Sequence, residues 1–125
     1  GQDDMPARLA RKLVGPDKIV GVSASTLEEA LRAEADGADY VSASPVFSTP
    51  TKTDTPPPTG LEGLRAFVEA VHVPVIAIGG INEGNVEEVI KAGAAGVAVI
   101  SAVVAASDIA AAARRLRQRI EEARK

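Results

Sequence analysis

The chain has 125 residues, enough for one domain with a real core but well below the length of a complete eight-stranded α/β barrel. A net charge of −3 without a basic block argues against nucleic acid as the main partner, and the absence of cysteine excludes disulfide bonds and thiolate metal sites. No apolar run is long enough to span a bilayer, so we expect one soluble, cytoplasmic domain over residues 1–125, without a membrane partner.

After an opening helix over residues 4–15, four short apolar runs rich in β-branched residues are each followed by a helical pattern. The predicted strands cover residues 18–24, 39–47, 74–80 and 96–103, and the helices that follow them cover residues 25–37, 61–71, 82–93 and 107–125. Runs this uniformly apolar are typical of parallel strands that are buried on both faces. The pattern therefore predicts an α/β fold made of one helix and four βα units.

Polar residues mark the starts of the predicted helices. Ser25 or Thr26 is expected to cap the helix over residues 25–37, with acidic residues in its first turn. Asn82 or Asn85 is expected to cap the helix over residues 82–93.

A glycine pair, Gly79 and Gly80, stands at the end of the third predicted strand, directly before a helix. In folds of parallel βα units the ligand lies beyond the carboxyl ends of the strands. Two glycines there leave backbone N–H groups accessible to an anion, although a simple tight turn would also explain them. Ile100 and Ser101 follow at the end of the neighbouring strand. The serine hydroxyl beside the glycine pair favours a phosphate site.

A long loop follows the second predicted strand, and we call residues 48–59 the threonine loop. It contains five threonines, four prolines, a lysine and an aspartate. Loops of this length are usually functional or disordered. On the same rim as the glycine pair, this loop would supply one cation, Lys52, and the hydroxyls of Thr49, Thr51 and Thr53. The alternative is a solvated connector.

Three further polar residues are candidates for binding or for a purely structural role. Ser23 ends the first predicted strand, where its hydroxyl either meets a phosphate oxygen or helps to cap the next helix. Asp4 is either the cap of the opening helix or, as a carboxylate facing a phosphate site, a ligand of Mg²⁺. His72, the single histidine, is expected on the opposite rim in a structural or solvent-facing position.

Five successive segments carry a family resemblance: GQDDMP, GVSASTLEEALRAEADGADYV, PVFSTPTKTDTPPPTGLEGL, PVIAIGGIN and AAGVAVISAV. In order and spacing they resemble the thiamine phosphate synthase family over essentially the whole chain, most specifically in the threonine loop. The resemblance implies strands 5–8, the second half, of a TIM (βα)₈ barrel. The implied enzyme is a transferase of thiamine biosynthesis. It couples 4-amino-2-methyl-5-pyrimidinylmethyl diphosphate to thiazole ethyl phosphate with Mg²⁺ and releases diphosphate.

The same resemblance implies a role for individual residues. Asp4 would be a Mg²⁺ ligand, and Ser23 and Lys52 would be the catalytic residues that hold the pyrimidine diphosphate. The pocket for the thiazole phosphate would be formed by Thr49, Pro50, Thr51, Gly80, Ile100 and Ser101. The family pattern has glycines where this chain has Ser42 and Ser44.

Alternatives to a complete synthase follow from the same comparison. The thiazole tautomerase branch of the family has a histidine where this chain has Pro45, which favours the synthase. The family's pyrimidine-binding residues and its second Mg²⁺ aspartate belong to the first four strands and have no counterpart here. Four strands with open edges need cover, from a second copy in a homodimer or from a complementing barrel half, unless the sheet rearranges into an open flavodoxin-like layer. The opposing hypothesis is a non-catalytic or engineered half-barrel that only binds phosphate.

Overall fold

The computed structural model describes residues 7–48, 57–99, 102 and 106–125. In chain order its elements are α1 (Ala7–Val14), β1 (Gly21–Ala24), α2 (Leu27–Ala35), β2 (Tyr40–Ala43), α3 (Gly60–Ala70), β3 (Val75–Ile78), α4 (Val86–Lys91), β4 (Gly96–Ala98) and α5 (Ile109–Ala123). The predicted alternation of an opening helix with four βα units is confirmed. No helix within these described ranges is long and apolar enough to cross a membrane.

The four described strands form one sheet in chain order, β1-β2-β3-β4, and every neighbouring pair is parallel. Parallel crossovers have one hand, so an order without reversal places the connecting helices on a single face of the sheet. A flavodoxin-like sheet reverses its strand order and carries helices on both faces. The described strands therefore do not adopt the flavodoxin-like alternative, and the α/β class with a parallel sheet is confirmed.

The core lies between the helices and one face of the sheet. Val41 and Ala43 on β2 and Val75 and Ala77 on β3 are buried. They pack in one cluster with helix residues that include Ala30, Ala33, Leu64, Phe67, Val86, Val89 and Leu116. Only one aromatic residue belongs to this buried set, so small and branched aliphatic side chains fill the space between the layers.

The other face of the sheet carries the alternate residues of the same strands. Ser23 on β1 and Ala98 on β4 are exposed, Ile76 on β3 is half-buried, and Ser42 on β2 is buried. The residues that the structure describes therefore leave the outer strands of this second face uncovered. We call it the open face.

The strands are shorter than the apolar runs that predict them. β2 ends at Ala43 rather than at residue 47, because Pro45 has no N–H group with which to continue the ladder. β3 ends at Ile78 because Gly79 and Gly80 have φ angles of 104° and 67°, which are incompatible with a strand. Beyond these two points the chain after β2 is bonded to the end of β3 through Val46 N to Ile78 O at 2.8 Å and Phe47 N to Gly79 O at 3.1 Å.

Arg11 fastens α1 to the end of the sheet where the strands begin. Its guanidinium donates to the carbonyl oxygens of Lys18 at 2.6 Å and Gly37 at 2.9 Å, and to Asp39 Oδ2 at 2.5 Å. The same carboxylate oxygen accepts the backbone N–H of Val20 at 2.7 Å. The Val20 N–H and then the Arg11 guanidinium hold the pKa of Asp39 below its ordinary value.

Candidate active site

The parallel register brings the carboxyl ends of β1, β2 and β3 to one rim. Ala24 pairs with Ala43, and Ala43 pairs with Ala77. Ser23 on β1 and Gly80 after β3 are thus on the same rim, on strands about 10 Å apart by the usual strand spacing. The predicted placement of these two residues at the carboxyl ends of the strands is confirmed, whereas their binding roles remain predictions.

Ser23 stands on the open face near the end of β1. It is exposed and lies in register with Ser42, which is 4% exposed. The cap of α2 is Thr26, whose hydroxyl accepts the backbone N–H of Glu29 at 3.2 Å. Of the two caps predicted for this helix, Ser25 and Thr26, the structure has Thr26.

Ser25 is bound to a carboxylate. Its backbone N–H and its hydroxyl each donate to Glu29 Oε1 at 2.8 Å. Partial burial raises the pKa of Glu29, but the hydrogen bonds from Ser25 outweigh it and leave the pKa below its ordinary value. Glu29 therefore occupies the donor groups of Ser25 and adds a negative charge after β1, so an anion at this rim must rely on other donors.

Gly79 and Gly80, which we call the glycine turn, allow the chain after β2 to lie directly on the end of β3. A Cβ atom at Gly79 would be 2.7 Å from Pro45 Cβ, and one at Gly80 would be 2.6 Å from the Ser48 carbonyl oxygen. Both residues also have positive φ angles, a region that other residues rarely enter. The glycine pair thus has a packing function that the sequence did not reveal.

The two ends of the threonine loop are fastened together. Thr59 N donates to Pro45 O at 2.8 Å, and Gly60 N donates to Val46 O at 2.8 Å. The incoming chain is joined to β3 as well, because Val46 N donates to Ile78 O at 2.8 Å. The loop therefore leaves and returns at one point, beside the glycine turn.

Asn85 holds the backbone after the glycine turn. Its Nδ2 donates to Gly80 O at 2.9 Å, and its Oδ1 accepts from Asn82 N at 2.9 Å. Asn85 takes the N-cap position of α4, as one of the two predicted candidates, but its side chain makes no capping hydrogen bond to the helix. The sequence does contain a hint of this contact, because asparagine side chains often bind nearby backbone groups and Asn85 follows Gly80 by five residues.

The remaining predicted site residues lie outside the described part of the chain. They are Asp4, Thr49, Pro50, Thr51, Lys52, Ile100 and Ser101. Ser48, directly before Thr49, is exposed on the rim, and Val99, directly before Ile100, is half-buried.

His72 lies at the other end of the sheet, before β3, and its side chain is exposed, as predicted. Its Nδ1 is 3.3 Å from Glu34 Oε1. Among the residues described, no group of three or more histidine, cysteine, aspartate or glutamate side chains is placed to hold a metal ion.

The family model and the most similar relatives of this chain agree on one family. The family model described as Thiamine monophosphate synthase matches residues 1–103. The thiamine-phosphate synthase of Moorella thermoacetica is 58% identical over 124 residues, which cover 99% of this chain and 59% of that protein. The thiamine-phosphate synthase of Chloroflexus aurantiacus is 58% identical over 117 residues, covering 94% of this chain and 54% of that protein.

A solved structure gives the same result. The fold is similar to that of a thiamine phosphate pyrophosphorylase from Pyrococcus furiosus, with a TM-score of 0.85 and 49% identity, over 97% of this chain and 57% of that one. This chain therefore spans little more than half the length of the relatives it matches. Because the family match covers most of its residues at high identity, the chain belongs to the thiamine monophosphate synthase family.

Proposed function

We propose that this chain is the second half, strands 5–8, of a (βα)₈ thiamine phosphate synthase barrel, and that it binds the phosphate groups of both substrates. The observation that carries this proposal is the contact of Ser48 with Gly80, because it joins the two segments that were predicted to bind phosphate. Identity of 58% to a thiamine-phosphate synthase supports the reaction class.

The sheet supports the half-barrel assignment. Its consecutive parallel order, with helices packed on one face, is the arrangement of successive strands in a barrel wall. The open face would then line the barrel interior. The loops after the last two strands of such barrels frequently bind phosphate, and the glycine turn follows the third of the four strands here.

The thiazole phosphate would bind between the threonine loop and the glycine turn. Backbone N–H groups at the turn and hydroxyls of Thr49, Thr51 and Ser101 are suitable donors for a phosphate dianion. Pro50, Gly80 and Ile100 would complete the pocket. Two bonds, Thr59 N to Pro45 O and Gly60 N to Val46 O, support this arrangement because they hold the loop ends next to the turn.

Ser23 and Lys52 would act on the diphosphate of the pyrimidine substrate. In the proposed reaction the methylene carbon–oxygen bond breaks, and its electron pair leaves with diphosphate. The thiazole nitrogen then forms the new carbon–nitrogen bond with its lone pair. Negative charge develops on the departing group, so a lysine beside it stabilises the transition state more than the ground state. The attacking nitrogen carries no proton to be removed, so no general base is required.

Mg²⁺ stays a proposal that rests on the family resemblance, with Asp4 as one ligand. When bound, the ion would neutralise charge on the diphosphate oxygens. Asp4 lies outside the described residues, which contain no group of three or more side chains placed to hold a metal ion.

The open face and the outer edges of β1 and β4 support a partner. We propose a complementing barrel half, equivalent to the part of its relatives that this chain does not span; a second copy is the runner-up. Exposed apolar residues on the β1 side, Leu13 and Ile19, agree with either partner. The thiazole tautomerase alternative is weaker, because Pro45 occupies the position of the tautomerase histidine and is buried near Gly79.

The test is thiamine phosphate formation from both substrates with Mg²⁺, first with the chain alone and then with the missing barrel half added. Product only on complementation supports the proposal, and product from the chain alone indicates a self-paired barrel. If neither mixture forms product but the chain binds inorganic phosphate, the alternative of a non-catalytic phosphate binder is correct. A chain with neither activity nor phosphate binding refutes both hypotheses.

A further inference from the structure

The carboxamide of Asn85 uses both of its polar atoms on the backbone of the segment that follows β3. Nδ2 donates to Gly80 O and Oδ1 accepts from Asn82 N, each at 2.9 Å, so the side chain bridges Ile81 from both sides. We propose that Asn85 is a positioning residue, which holds the glycine turn in the conformation that binds phosphate. This inference rests on the proposed function and adds the side chain that holds the phosphate site in its binding conformation.

The glycine turn needs such support because glycine is the most flexible residue. Gly79 and Gly80 have φ angles of 104° and 67°, and without side chains they have many other accessible conformations. A turn that samples those conformations must be ordered when an anion binds, which weakens binding. A hydrogen bond that holds the Gly80 carbonyl before the anion arrives reduces this entropy cost of binding.

Peptide planarity gives the contact a direct geometric effect. The Gly80 carbonyl and the Ile81 N–H belong to one planar peptide unit and point in opposite directions. By holding the carbonyl, Asn85 therefore also fixes the direction of the Ile81 N–H. Oδ1 meanwhile occupies the Asn82 N–H. Asn85 thus determines which backbone donors of this segment are oriented and which one is already used.

A helix-capping role does not explain Asn85. It occupies the N-cap position of α4, yet its side chain makes no capping hydrogen bond. Asn82 has the local role instead: its Oδ1 accepts from Gly84 N at 2.8 Å, and its carbonyl accepts from Val86 N at 2.9 Å. Asn82 is therefore a matched control, with the same side chain in the same segment but with its carboxamide bound to Gly84 N.

The experiment uses the full 125-residue chain, labelled with ¹⁵N, and inorganic phosphate as the probe. The amide signals of Gly79, Gly80 and Ile81 report the turn in the free protein, and their titration with phosphate gives the affinity. We expect Asn85→Ala to weaken phosphate binding about tenfold, the size of one net hydrogen bond. We also expect it to shift the three free-protein signals and to speed their hydrogen exchange. Asn82→Ala should change the affinity less than about twofold.

Asn85→Asp provides a second variant if Asn85→Ala does not fold. It keeps the acceptor for Asn82 N, replaces the donor to Gly80 O by an oxygen and adds a negative charge. Only the amide signals of the turn in the free protein are therefore compared for this variant, and they should still shift. Affinity and amide signals that stay at their wild-type values in the Asn85 variants would overturn the inference. If the wild-type chain binds no phosphate and forms no product with the complementing half, the proposed function fails, and the free-protein signals alone then decide whether Asn85 holds the turn.

Discussion

A Cβ atom at Gly80 would lie 2.6 Å from the carbonyl oxygen of Ser48, so the chain that leaves β2 rests directly on the turn that ends β3. Thirty-two positions of sequence separate these two residues, and each adjoins one of the segments that were predicted to bind phosphate. A site assembled in this way depends on the absence of a side chain at position 80, whatever the anion.

Gly80→Ala should therefore destabilise the fold by two separable effects. The positive φ of 67° costs an L-residue about 1–2 kcal/mol, and the overlap with Ser48 adds about 1–3 kcal/mol. Gly60→Ala is the matched control, because Gly60 has a φ of 69° but a Cβ there would have no neighbour within 4 Å. Urea unfolding of both variants should give the larger loss for Gly80→Ala. Equal losses would mean that the loop does not rest on the turn.

Lys52→Ala should lower the rate of thiamine phosphate formation by about 10²–10³, the usual effect of removing one group that stabilises developing charge. The assay requires the complementing barrel half. The thermal midpoint should stay the same, because a lysine in a segment of threonines and prolines is expected outside the apolar core. Lys91→Ala, on the last turn of α4, is the control and should retain full activity. A large fall in the midpoint of Lys52→Ala would instead make the lysine structural.

The elements of this fold were predictable because they depend on local periodicity. The apolar runs around Val41 and Val75 and the helical patterns between them specify four βα units without knowledge of their neighbours. The contacts at the rim depend on pairs that are distant in sequence, such as Thr59 N with Pro45 O. No pattern in the sequence indicates that pairing. From the sequence, Asn85 is predicted only as a helix cap. The preference of asparagine for helix starts does not show whether its side chain binds the helix or the preceding turn.

Acid should destabilise the chain through carboxylates with a lowered pKa: Glu29 at the rim of the site and, at the opposite end of the sheet, Glu34 and Asp39. The backbone N–H of His72 is the main group that lowers the pKa of Glu34, and the N–H of Val20 does the same for Asp39. A carboxylate with a lowered pKa in the folded state stabilises the fold above its ordinary pKa, and this contribution is lost as the pH falls through the folded value. We expect a constant thermal midpoint from about pH 7 to 5 and a fall below that.

Glu34→Gln tests the origin of that fall. The amide keeps one acceptor but no charge, so the midpoint at neutral pH should decrease and the slope below about pH 5 should become shallower. Glu28→Gln is the control, because Glu28 only forms an exposed ion pair with Arg32 at 3.4 Å across one helical turn. Identical acid slopes for Glu34→Gln and the wild type would show that Glu34 does not contribute to the pH dependence.

Leu13→Ser and Ile19→Ser should weaken assembly without weakening the isolated chain. Leu13 is 66% exposed and Ile19 is 80% exposed, so each substitution should change the free energy of unfolding by less than about 0.5 kcal/mol. If a partner covers α1 and the edge of β1, each variant should bind it about tenfold or more weakly, since burial of such a side chain is worth about 1.5–3 kcal/mol. Sedimentation of the chain alone and with the complementing half measures both cases.

Leu31→Ser on α2 is the control, because Leu31 is also exposed but α2 already packs on β1 and β2. Wild-type association in both variants would place the partner elsewhere, against the other edge of the sheet at β4.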